Sequence, residues 1–337
     1  MSHCRTSIVG VTGAVGQVML ECLEQRAFPV DELIPLASSR SAGKKVSFKG
    51  QEVEIQNLEN HRFQKGEIVL SSAGAKVTKT FRERAVASGA VIVDNTSAYR
   101  MEKGVPLVVP EINADQIPNN PGLIANPNCC AAILTVALWP LYKLSRIRRM
   151  VVSTYQSASG AGAAAMAELE TQTREVLEGK APTIKALPYQ LAFNLYSHNA
   201  AIEANGYNGE ENKVVAETQK IFDDYEMGVA VTCVRVPVMR AHSESVNLEF
   251  EEPVTVEQAR EAIRNAPGVR LVDDREKNFF PMPLDASGID DVLVGRIRED
   301  DTVPGGRGLA LFISGDQLRK GAALNAVQIA EKLVNSN

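Results

Sequence analysis

The stretch Gly10-Val11-Thr12-Gly13-Ala14-Val15-Gly16 follows the short apolar run Ser7-Ile8-Val9 at the start of the chain, and Val18, Met19, Cys22 and Leu23 come after it at helical spacing. It is a glycine-rich hand-over from strand to helix. Glycines there let the backbone approach a pyrophosphate held at a helix N-terminus. The spacing is GxxGxxG, not the usual GxGxxG, and a lone glycine loop is often only a tight turn. Its place at the head of an alternating β/α pattern is what favours dinucleotide binding and an α/β fold.

The alternation continues. A second strand over 33–37 ends in Ser38-Ser39-Arg40-Ser41. An NAD site carries an Asp or Glu at this point to hold the ribose 2′-hydroxyl, whereas the small hydroxyl of Ser39 with the guanidinium of Arg40 suits a 2′-phosphate, so NADP is expected. The alternative is a solvated basic turn. Turn chemistry at Lys49-Gly50 predicts a hairpin of 46–48 with 53–55. Strands over 68–70 and 91–94 flank a helix over about 76–88, and the segments 71–74 and 95–100 fall beyond their carboxyl ends, where open parallel sheets bind ligands. Arg100 lies there, although position alone leaves it equally a surface residue.

Asn126-Pro127-Asn128-Cys129-Cys130 then breaks a strand over 123–125 and opens an apolar helix to residue 142. Asn128 is a good N-cap, which puts Cys129 in a first helical turn. Unpaired N–H groups and the helix dipole favour a thiolate there, below the usual thiol value of about 8.5. Buried cysteines are nevertheless common and mostly inert.

The second half has a different character. A strand over 150–156 opens into Ser157-Ala158-Ser159-Gly160-Ala161-Gly162, a small-residue loop that a ligand could approach closely. A helix over 163–177 follows, then an irregular excursion over 179–209, expected either to cover the site or to meet another subunit. The helix over 211–222 sets Glu217 and Lys220 at i and i+3, ordinarily a solvated pair. Strands over 232–236, 245–250, 292–297 and 309–314 make a sheet, with a helix over 256–265. The alternation at 245–250 suits a sheet with one face on helices and the other on water or a partner subunit. An Ala-rich helix over 320–334 closes the chain, and the lone His242 is by itself more often structural than catalytic.

Composition narrows the function. With 337 residues the chain fits two domains, and a net charge of −5 offers no basic footprint for nucleic acid or anionic membrane. No apolar run approaches the ~20 residues of a membrane span, and the first residues lead straight into a strand, so a cytoplasmic protein, or a trimmed organellar one, is expected. The five cysteines are odd in number and lack CxxC spacing, and the four histidines lack paired spacing, so neither disulfides nor a metal is expected.

The ordered set of a dinucleotide turn, NPNC at a helix start, YQSASGAG after a strand, RVPVMRAHSESV and a final KGAALNAVQIA resembles the aspartate-β-semialdehyde dehydrogenase family from about residue 6 to 334. Glyceraldehyde-3-phosphate enzymes would show Ser-Cys-Thr-Thr-Asn-Cys, and N-acetylglutamyl-phosphate reductases usually have glycine where this chain has Asn128. The resemblance implies a Rossmann-like NADP-binding domain (1–127 with 315–337) and a central α/β catalytic and dimerisation domain (128–314), the architecture of glyceraldehyde-3-phosphate dehydrogenase. It also implies a homodimer or homotetramer that interconverts L-aspartyl-4-phosphate and L-aspartate-4-semialdehyde with release of phosphate, toward lysine, methionine and threonine.

By position, the resemblance makes Cys129 the thioester nucleophile, His242 the acid/base and Gln156 the residue that orients substrate. Arg235 would clamp the α-carboxylate, Glu217 would lie near the amino group, and Arg100, Lys220 and Asn128 would form the phosphate site. Cofactor contacts fall on Gly10, Thr12, Gly13, Ala14, Val15, Gly16, Ser39, Arg40, Ser159, Gly160 and Asn325. One departure is Cys130, where the family usually has serine. Its side chain is expected to point about 100° from Cys129 and to be replaceable. Two alternatives remain: another acyl-phosphate or acyl-CoA reductase on this scaffold, and an NADP-binding redox regulator without turnover.

Overall fold

The computed structural model describes residues 4–119 and 121–335, which form two compact units. One takes the chain through Asn128 and again from Ala322; the other is Cys129–Gly321.

The first unit is built on a six-stranded sheet in the order Gln56–Asn57, Val30–Ala37, Cys4–Val9, Ile68–Ser71, Val91–Asp94, Leu123–Ala125. Every pairing is parallel. Such strands are covered on both faces, which is why Ile68–Ser71 is buried at every position. The expected hairpin forms between Lys45–Phe48 and Gln51–Glu54. The last helix, Leu324–Asn335, returns to this unit, and there Glu331 accepts a forked pair of bonds from Arg26 at 2.7 and 2.8 Å.

The second unit carries a mixed seven-stranded sheet ordered Tyr196–Ser197, Gly228–Arg235, Ile147–Gln156, His242–Phe250, Gly308–Gly315, Val292–Glu299, Val269–Leu271. The helices Cys129–Tyr142, Gly209–Phe222 and Val256–Arg264 pack together. The first is buried on nearly all sides, and each of its enclosed Ile, Leu and Val side chains contributes about 1.5–3 kcal/mol. Strand alternation leaves the other face of the sheet half-open, with Tyr155 and Phe312 in contact at 6.2 Å between ring centroids.

The sequence pattern differs from the structure at the C-terminal segment. It joins the first unit only from Ala322, because Gln317 accepts from the Ala241 N–H at 2.8 Å and Asp316 holds Arg240 at 2.7 Å, both in the second unit. The expected continuous helix there begins as a π-helical turn over Arg319–Ala323.

The excursion over 179–209 is fastened rather than loose. Glu168 accepts from the N–H groups of Lys185, Ala186 and Leu187, and the Gln172 carbonyl oxygen from those of Leu191 at 2.8 Å and Ala192 at 3.1 Å. Tyr189, Phe193, Leu195 and Ile202 remain exposed on it.

Candidate active site

In the first unit, Gly10 has φ +87°, and a Cβ on Gly16 would lie 2.4 Å from the Gly10 carbonyl oxygen. The turn therefore needs glycine at both places. The helix Ala14–Gln25 that follows has no side-chain cap and no acidic residue in its first turn. Its leading N–H groups suit a pyrophosphate, and the exposed Thr12 and Gly13 leave the approach open. Ser39 and Arg40 are exposed on the turn after Val30–Ala37.

Arg100 is buried, with Nε donating to the Asn126 carbonyl at 2.9 Å and Nη2 to that of Asn95 at 2.8 Å. It thus braces the segment that leads to Asn128. Asn325 acts on the same segment: its amide donates to Asn126 Oδ1 at 2.6 Å and to the Val108 carbonyl at 2.9 Å.

In the second unit Cys129 is the first residue of the helix Cys129–Tyr142, as its N-terminal signals predict. Cys130 does not point away. The two sulfurs and a ring nitrogen of His242 lie within 4.8 Å of one another. A 100° offset fixes the Cβ directions of adjacent helical residues, not the rotamers one bond further out. The Cys130 thiol donates to the Cys129 sulfur, and this bond, with His242, holds the Cys129 thiol well below the usual thiol range against the opposing effect of burial. Cys130 is pushed well up by the same bond and by burial. Behind them, burial keeps the Glu244 carboxyl well above the usual carboxylate range, and among the described residues neither of its oxygens has a hydrogen-bond partner.

Parallel pairing of Gly228–Arg235 with Ile147–Gln156 sets Arg235 opposite Gln156 at the carboxyl ends of both strands. Arg235 is buried, with Nη1 donating to the Ser157 carbonyl at 2.6 Å and Nη2 to His198 Nε2 at 3.0 Å. Among the described residues its Nε has no partner. A buried, unanswered guanidinium N–H suits a carboxylate ligand. Gln156 accepts from Thr154 Oγ1 at 3.1 Å and donates to Glu210 at 3.4 Å.

The 157–162 loop crosses directly over this group. A Cβ on Gly160 would lie 2.9 Å from His242 Cε1 and 3.3 Å from Arg235 Nη1. The Ser159 hydroxyl is engaged with Ser157 at 2.9 Å and with Gln317, and its backbone N–H donates to the Met239 carbonyl at 3.1 Å. Glu217 and Lys220 are not the solvated pair that their spacing suggests. Glu217 is buried, and burial lowers Lys220. The packed face of Gly209–Phe222 carries Glu217 inward, with Lys220 half-buried.

His198, Glu210, Gly321, Ser157 and Gln317 were not singled out by sequence. Gly321 admits the Cys129 side chain, since a Cβ there would sit 2.9 Å from Cys129 Cβ. No local pattern marks any of these; they matter through residues distant in sequence.

A parallel-sheet nucleotide-binding unit and a second unit with an activated thiol beside a histidine define the class, a nucleotide-dependent semialdehyde dehydrogenase. Family models agree: residues 5–120 match "Semialdehyde dehydrogenase, NAD binding domain", and 138–320 match "Semialdehyde dehydrogenase, dimerisation domain". The chain is 56% identical over 333 residues to the aspartate-semialdehyde dehydrogenase of Synechocystis sp., covering 99% of this chain and 98% of that one. The crystal structure of Vibrio cholerae aspartate semialdehyde dehydrogenase II complexed with ASA matches with TM-score 0.96 and 43% identity, over 99% of each chain. That of the Candida albicans enzyme with NADP matches with TM-score 0.76 and 26% identity, over 99% of each. The chain belongs to the aspartate-semialdehyde dehydrogenase family.

Proposed function

We propose that this chain carries out the NADP-dependent reductive dephosphorylation of L-aspartyl-4-phosphate to L-aspartate-4-semialdehyde through a thioester on Cys129, in the route to lysine, methionine and threonine. The observation that carries the proposal is the thiol at a helix start, lowered by the Cys130 hydrogen bond and by the neighbouring His242. In this reading the Cys129 thiolate attacks the acyl phosphate, the C–O bond to phosphate breaks, and N–H groups at the helix start receive the oxyanion. The phosphate leaves toward Arg100, Lys220 and Asn128. Arg235 offers its planar fork to the substrate α-carboxylate, Glu217 lies toward the amino group, and Gln156 orients the acyl group. Holding the substrate at both ends makes the attack effectively intramolecular. His242 stands by the carbonyl oxygen as the thiohemiacetal forms and as the aldehyde departs.

The tight glycine turn and uncapped helix fit a dinucleotide at Gly10 to Gly16, with Ser39 and Arg40 toward a 2′-phosphate, and the family resemblance adds Ser159, Gly160 and Asn325 as cofactor contacts. When bound, NADP supplies the hydride chemistry. The nucleotide-binding role falls to the first unit and catalysis to the second. A second copy of the chain would meet the half-open sheet face and the apolar residues of the 179–209 excursion, giving a homodimer or a dimer of dimers. No helix among the described residues is long and apolar enough to cross a membrane.

The test is phosphate-dependent reduction of NADP by L-aspartate-4-semialdehyde, with glyceraldehyde-3-phosphate and N-acetylglutamate semialdehyde as competitors. Reduction with the aspartyl aldehyde alone is expected. Preference for another aldehyde would overturn the substrate, and NADP binding without any turnover would favour the regulator.

A further inference from the structure

The hydrogen bonds behind His242 decide where its proton sits. Nδ1 lies 3.0 Å from the backbone nitrogen of Ser157 and 3.1 Å from the Ser157 hydroxyl. A backbone N–H can only donate, so Nδ1 is an acceptor. The direction of the hydroxyl bond is set further back. The Ala241 N–H donates to Gln317 Oε1 at 2.8 Å, which fixes that amide with its nitrogen toward Ser159. The Gln317 amide therefore donates to Ser159 Oγ. The Ser159 proton is then available to Ser157, 2.9 Å away, and the Ser157 proton to Nδ1. Gln317, Ser159, Ser157 and His242 are all buried, which leaves water little room to reverse the order.

We propose that the Gln317–Ser159–Ser157 array fixes His242 as the neutral tautomer protonated on Nε2, which makes these three positioning residues of the active site. The inference rests on the assignment of His242 above and extends it. Among the described residues Nε2 has no hydrogen-bond partner, and a ring nitrogen of His242 lies within 4.8 Å of the Cys129 and Cys130 sulfurs. Nε2 is then a hydrogen-bond donor, first to the sulfur and later to the substrate oxygen. The proton is shared along the Nε2–H···O line as the alkoxide forms and is back on Nε2 when the aldehyde departs; none passes through Nδ1. Placing a proton on Nδ1 would aim it at the Ser157 N–H.

The tautomer can be read directly by nitrogen-15 NMR of the intact protein labelled at histidine, with His242 assigned by loss of its signals in His242→Gln. The account expects a pyridine-type Nδ1 and a pyrrole-type Nε2 in the wild type at the pH of assay, with or without NADP. A pyrrole-type Nδ1 would overturn it. Ser159→Ala should produce a detectable Nδ1–H population and lower kcat with little change in the KM for aldehyde, and Ser159→Thr, which restores a hydroxyl, should reverse both. Unchanged nitrogen shifts in Ser159→Ala would remove the array from the assignment and leave the Ser157 N–H alone. The NMR result does not depend on turnover, so it can fail while the catalytic role of His242 stands, and the reverse.

Discussion

The glycine turn of the first unit and the thiol site of the second are built by opposite means. At Gly10 to Gly16 the chemistry is backbone, left bare because side chains have been removed from the approach. Around Cys129 it is side chain upon side chain, with Cys130, His242, Ser157, Ser159 and Gln317 each fixing the next. Substitution should therefore be graded in the first region and severe in the second.

The largest effect is expected from Cys129→Ala, which should lower turnover by about 10⁵-fold or more while NADP still binds. Ordinary turnover in that variant would erase the contrast between the regions. Arg235→Lys keeps the charge but loses the fork, and kcat/KM for the aldehyde should fall about 10- to 100-fold, the range for a charged hydrogen bond. Unaltered kinetics would move the carboxylate site elsewhere.

Cys130 sharpens the comparison further. Because the folded Cys129 thiol is depressed, the thiolate persists as pH falls below the ordinary thiol range, and kcat/KM declines only as pH passes down through the depressed value. Cys130→Ala removes the donating S–H and should move that acid limb to higher pH, whereas Cys130→Ser supplies an O–H and should leave it near the wild type. Identical profiles for the two variants would show that the Cys130 bond does not set the thiolate. The smallest effect is expected at the exposed Arg40: Arg40→Ala should raise the KM for NADPH about tenfold and that for NADH little, as one charge-assisted bond implies. Equal effects on the two cofactors would argue against 2′-phosphate recognition.

These regions also differ in how far they could be read from the sequence. The turn, the strands around it and the helix start at Cys129 are local, each written within a few residues as glycine spacing, an apolar run or an Asn-Pro break. Gln317 and Ser159 stand 158 positions apart, and nothing in either stretch announces the other. The same holds for His198 against Arg235. For Cys130, helical phase constrains Cβ and not the sulfur. For Glu217 and Lys220, i,i+3 spacing says which residues share a face but not whether that face is buried.

The central claim is that the aspartyl group passes through a thioester on Cys129. It is tested most directly by mixing the protein with NADP and L-aspartate-4-semialdehyde without phosphate, quenching in acid, and measuring the mass of the peptide that carries Cys129. The account predicts an aspartyl adduct on that peptide at Cys129, one that disappears when phosphate is added before the quench. An unmodified Cys129 during turnover, or the adduct on Cys130, would contradict it.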